Sequence, residues 1–203
     1  MLKRSARYCI FAVLVLALPL TAMSREISYD YIQGEYSWIE DKSIPDAEIN
    51  ADGYVIEGSY SVTPNAAVTA GFGIRDYEKF QGQKVDFEEL TLGVTAHTPI
   101  SPVTDLVGNF SLLNLEGEVD DGITTRTDDD TGYTLGVGVL HVISEVVVLN
   151  ASITREDIFD GTANIIAVGL RLYANNTLSF GAGMQEGSDD VDSVYLNVRL
   201  DFQ

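Results

Sequence analysis

His97 and His141 are the only imidazoles in this 203-residue chain. General-base or acyl-transfer chemistry near neutral pH would centre on one of them. The single cysteine, Cys9, offers neither a disulfide nor a zinc set. Carboxylates are plentiful instead: 31 Asp+Glu stand against 12 Lys+Arg, for a net charge of −19. They crowd into "DDGITTRTDDD" and "EGSDDVD", where closely spaced oxygens suit a hard cation such as calcium. Neither stretch follows the EF-hand order or a glycine-rich calcium repeat, so a solvated acidic face is the plainer reading. "GFGIRD" and "GVGVLH" look like pieces of phosphate-cradling loops, yet no helix follows either. No catalytic, cofactor-binding or metal residue is assigned on these grounds. The acidity also excludes nucleic acid as a partner, because phosphate backbones select basic surfaces.

The elements that position these residues are legible from a period of two. In "GYVIEGSYSVTPNAAVTAGFGI", Tyr54, Ile56, Tyr60 and Val62 share one parity, and Glu57, Ser59 and Ser61 share the other. "TPNAA" interrupts as a tight turn, after which Val68, Ala70, Phe72 and Ile74 alternate with Thr69, Gly71, Gly73 and Arg75. The same alternation predicts ten strands near 27–40, 53–62, 67–79, 84–97, 104–117, 132–142, 146–156, 163–173, 177–186 and 192–202. Eight strands are the alternative count. Short connectors ("TPNAA", "TPISPV", "ISE", "ANN") alternate with usually longer, acidic ones such as "EVDDGITTRTDDDT". A weak repeat, "DGYVIEGSY", "FEELTLGVT", "TGYTLGVGV", "ANIIAVGLR" and "DSVYLNVRL", marks each strand that descends from a long loop. The repeating unit is a hairpin, which suits an up-and-down antiparallel barrel.

Alternation alone does not say which face is inside. A soluble exported barrel holding a lipophilic ligand would bury the apolar parity, whereas a transmembrane barrel turns it to lipid. Three features favour lipid. In "TLGVGV", "NIIAVGL" and "TLSFGAGM" the other parity is Gly, Ala, Ser and Thr rather than the Lys and Glu of a wetted sheet. Charge gathers in one class of loop. Aromatics gather at both strand ends: Tyr36, Trp38, Tyr54, Tyr77, Phe80, Phe87 and Tyr133 near the long loops, and Tyr29, Tyr31, Tyr173 and Phe202 near the short turns. They are expected to form two interfacial girdles.

Residues 1–24 read as a secretory signal peptide: Lys3, Arg4 and Arg7, then "CIFAVLVLALPL", then small residues at Ala22 and Ser24. Cleavage there removes three positive charges and takes the net charge from −19 to −22. A single barrel domain is then expected over 25–203, with no segment of about 20 apolar residues left to span a bilayer as a helix.

With the lipid face assigned, Glu35, Glu57 and Glu89 point into the lumen, as do Arg75, Arg171 and Arg199. His97 points inward beside Thr95, and His141 shares the lipid parity with Val137 and Val139. Three acids and three bases in a slender interior are expected to pair and lock it, because an unpaired buried charge is costly. A charged constriction in a narrow pore is the competing reading.

The signal peptide, the ten alternating segments and the ending "VYLNVRLDFQ" resemble the small outer-membrane β-barrels of Gram-negative bacteria, the OmpA-like and opacity-like group. In that group the last strand alternates apolar residues and closes on an aromatic that the barrel-assembly machinery recognises. Val194, Leu196, Val198, Leu200 and Phe202 match, while Gln203 makes the aromatic penultimate. The resemblance implies a non-enzymatic barrel in the outer membrane, with a structural, surface-interaction or porin-like role. Outer-membrane lipid and lipopolysaccharide are the partners expected, the latter through divalent cations on the acidic loops.

Overall fold

The computed structural model describes residues 26–43, 49–159, 161–188 and 190–202. The proposed signal peptide and Gln203 lie outside them. Ten antiparallel strands form one closed barrel: β1 (Tyr31–Asp41), β2 (Ile49–Thr63), β3 (Ala66–Tyr77), β4 (Lys84–Ser101), β5 (Thr104–Asp120), β6 (Thr125–Ser144), β7 (Val147–Ile158), β8 (Gly161–Tyr173), β9 (Leu178–Gly187) and β10 (Val191–Asp201). Each strand pairs with its sequence neighbours, and β10 returns to β1 from Tyr31↔Asp201 to Asp41↔Val191. Closure leaves no edge in the hydrocarbon, where an unpaired backbone group has no water to satisfy it.

The apolar parity faces out. Tyr54, Ile56, Phe72, Leu90, Leu112, Leu135, Ile166, Met184 and Leu196 all keep large exposed surfaces on the outer wall. Their neighbours along each strand, among them Gly73, Gly93, Leu113, Gly169 and Asn197, are buried. Much of the interior is small and polar, with Ile39 on β1, Leu113 and Leu115 on β5, Val142 on β6 and Val148 on β7 as buried apolar exceptions. Glycine is required where the wall must make room for a neighbour. A Cβ at Gly183 would lie 2.3 Å from the Tyr195 hydroxyl, and one at Gly169 would lie 2.4 Å from the same oxygen. These two positions on β8 and β9 are the floor across which Tyr195 of β10 lies.

Three expectations are corrected. First, β5 and β6 extend to Asp120 and from Thr125, so most of "DDGITTRTDDD" is paired strand rather than loop. Acidic side chains are tolerated there because the ribbon has risen above the apolar wall. Second, the short-turn girdle loses Tyr29, Tyr31 and Tyr173, which turn inward; Phe202 remains outside at 54% exposure. Tyr77 and Phe87 likewise stack edge-on inside the long-loop mouth, ring centroids 5.7 Å apart, and Phe87 covers Gly117. Tyr36, Trp38 and Tyr54 form the outer aromatic group at that end, with centroids 4.5 and 5.0 Å apart. Third, β1 begins at Tyr31, and residues 26–30 leave the ladder as a strap across the short-turn mouth.

Candidate functional site

The short-turn mouth is closed by that strap and by the side chains beneath it. Phe202 N donates to the Asp30 carbonyl at 2.8 Å, and Ser61 N donates to Asp30 Oδ1 at 2.5 Å. Ile27 packs on a buried cluster of Val103, Val142, Val148 and Tyr173. The Tyr29 ring stacks on His97 with centroids 3.5 Å apart, and its hydroxyl donates to Asp105 Oδ2 at 2.9 Å. Burial, reinforced by that carboxylate, raises the Tyr29 phenol well above its ordinary range and keeps it neutral. His97 Nδ1 stands 3.8 Å from the same Asp105 oxygen.

Arg199 anchors the strap from below. It is 9% exposed, donates from Nε to Asp201 Oδ1 at 2.6 Å and also donates to the Ser28 carbonyl. Its guanidinium lies 3.6 Å over the Tyr31 ring, a cation–π contact. Tyr31 in turn donates to Glu57 Oε1 at 2.5 Å. Deeper in the lumen, Arg171 donates to Gln33 Oε1 at 2.7 Å and to Ser179 Oγ at 3.2 Å. Asn197 donates to Glu35 Oε2 at 3.2 Å. Toward the long loops, Arg75 pairs directly with Glu89.

All six charged residues singled out from the sequence thus line the lumen, but among themselves only Arg75 and Glu89 pair, while Arg199 takes Asp201 as its counter-charge. Of the other four, Glu35 is held by Asn197, Glu57 by Tyr31, Arg171 by Gln33 and Ser179, and Arg199 by Asp201 two residues along its own strand and by the strap. Glu35 and Asn197 are cross-ladder neighbours on β1 and β10, and Gln33 lies opposite both Arg199 and Glu57. Gln33, Asp105, Asn197 and Asp201 share the inward parity and could have been found by it. Tyr29 and Tyr31 could not, because an aromatic near a strand end fits a girdle equally well. His141 lies on the outer wall with Nδ1 2.9 Å from the Thr104 hydroxyl. Among the described residues, no three His, Cys, Asp or Glu side chains are grouped to hold a metal ion.

The long-loop rim is acidic and open. Lys84 sits between Asp76 Oδ1 at 2.9 Å and Asp86 Oδ2 at 2.8 Å. Lys42 lies 2.6 Å from Glu40 and 3.9 Å from Asp192. At the tip of the β5–β6 ribbon, Asp121 Oδ1 accepts from Ile123 N and Thr124 N at 2.8 and 2.7 Å. Those two amides hold its carboxyl below the ordinary carboxylate range. Asp121 is therefore a turn former, and Ile123 beside it stands 94% exposed.

A sequence profile described as outer membrane protein beta-barrel domain matches residues 10–199. No curated protein matches the chain by sequence. Among solved structures, the translocator domain of the autotransporter NalP from Neisseria meningitidis aligns with TM-score 0.54 and 11% identity, over 98% of this chain and 97% of that one. The beta domain of the Bordetella autotransporter BrkA gives 0.54 and 11%, over 87% and 100%. Neisserial surface protein A gives 0.50 and 14%, over 88% and 100%. At these identities the likeness is one of fold.

Proposed function

Because this chain belongs to the outer membrane protein β-barrel domain family, we propose that it is a closed, non-enzymatic outer-membrane barrel whose role is structural or surface-binding. The observation that carries this is the stoppered mouth. Residues 26–30, Tyr31, His97, Arg199 and the valine cluster occupy the lumen at the short-turn end, which is the periplasmic end of such barrels. A catalytic role has little support, since His97 is stacked under Tyr29 and His141 faces the outer wall. The working surface is instead the acidic extracellular rim. In the outer leaflet it meets lipopolysaccharide phosphates, and divalent cations bridging carboxylate to phosphate are the fitting contact. Phe202, exposed at the end of β10, is the residue offered to the barrel-assembly machinery.

Planar-bilayer recording tests the closed lumen. The unmodified protein should give little or no conductance, and replacement of Arg75, Arg171 or Arg199 by Ala should introduce leak. Steady single-channel conductance from the unmodified protein would make a narrow, arginine-lined pore the better reading.

A further inference from the structure

Among the described residues, the upper part of β6 has a ladder partner on one side only, and at its foot Phe159 N donates to Asp130 Oδ2 at 2.6 Å. β5 and β6 run together to the turn at 121–124, but β7 joins β6 only from Tyr133. Among the described residues, no strand pairs with residues 125–132 on the side away from β5. The hydrogen-bond phase is set at the turn, where Asp121 N donates to the Thr124 carbonyl. Alternation along the ladder then points the amides and carbonyls of Arg126, Asp128 and Asp130 at β5. Those of Thr125, Thr127 and Asp129 point to the open edge. This edge stands clear of hydrocarbon, because the outer parity changes from Leu112 and Tyr133 to Asn114, Glu116, Glu118 and Asp129.

We propose that residues 125–129 of β6 are a docking edge for an extended, cationic polypeptide segment. The segment adds to the sheet as one more strand, above the lipid-facing wall. Charge selects this occupant. Asp128 and Asp129 lie along the edge, with Glu116 and Glu118 on the strand behind, against Arg126 alone among them. A second copy of this chain would bring the same acids face to face, and like charges directly opposite destabilise a strand pair. An edge so charged is guarded against itself and open to a basic partner.

The probe is a short synthetic peptide of alternating Lys and Val, titrated into the full barrel in lipid nanodiscs. Its affinity should fall by about tenfold or more with Thr127→Pro, which removes an outward-pointing donor and leaves the β5 ladder intact. Asp128→Asn combined with Asp129→Asn should weaken it as well. The same peptide methylated on alternate backbone nitrogens keeps its charge and loses one hydrogen-bonding edge, so it should not bind; this arm needs no change to the protein. Equal binding of the two peptides would reduce the contact to charge adsorption and overturn the proposal. So would failure of the unmethylated peptide to bind.

Discussion

The two mouths of this barrel are built from the same alternating strands and treat polar groups in opposite ways. At the short-turn mouth, charged and phenolic groups are buried and individually partnered: Arg199 with Asp201 and Ser28, Tyr29 with Asp105, Tyr31 with Glu57. At the long-loop rim, carboxylates outnumber cations, and those nearest Lys84 stand more than one-third exposed. Burial makes the difference. A charge withdrawn from water needs a fixed partner, whereas one in water is solvated and screened whether or not a partner is near. The closed end therefore stores stability and the open end stores net charge.

The largest effect expected from breaking this contrast is at Arg199. Its replacement by Ala leaves Asp201, 3% exposed, without its partner. Stability should drop by about 3–5 kcal/mol, read as the midpoint of urea unfolding in lipid vesicles. A loss within error would mean that water reaches the mouth and that the strap does not seal it.

Between the two ends runs the lipid-facing belt, where an unpaired charge has neither partner nor water. Ala70→Arg or Val168→Arg should cost about 2–4 kcal/mol if the position lies near the midplane. Thr69→Arg, one residue along and turned to the lumen, should cost less. Gly71 and Gly169 make poor lumenal controls, because a Cβ there would meet the Thr91 hydroxyl at 2.7 Å and the Tyr195 hydroxyl at 2.4 Å. A larger cost at Thr69 than at Ala70 would show that the two faces are reversed, and equal costs would remove the distinction between them.

The smallest effect belongs to the rim. Lys84→Ala should leave the unfolding midpoint unchanged, since exposed ion pairs contribute little. Chelation of divalent cations should likewise leave the purified barrel unaffected, yet loosen its association with lipopolysaccharide in mixed vesicles. A stability change on chelation in the absence of lipopolysaccharide would mean that the barrel itself holds the cation. The rim would then be structural, like the mouth.

Much of this molecule follows from local pattern. The period of two, the alternating long and short connectors and the small inward parity determine ten strands, their order and the lipid face. Each of these depends only on neighbours along the chain and on the requirement that an edge in hydrocarbon be closed. The inward direction of Glu35, Glu57, Glu89, Arg75, Arg171 and Arg199 comes from the same source. Their partners do not. Which group faces Arg171 or Glu35 depends on the register of β8 on β9 and of β10 on β1, a relation between distant segments. The inward turn of Tyr29, Tyr31 and Tyr173 was also settled by the closed barrel. A tyrosine at a strand end satisfies its hydroxyl equally well at a membrane interface or against a buried carboxylate, and only the assembled mouth supplies Asp105 and Glu57. The height of the β5–β6 ribbon was decided in the same way. Its acids read as loop along the chain, and only β5 lying alongside β6 holds them as strand above the lipid.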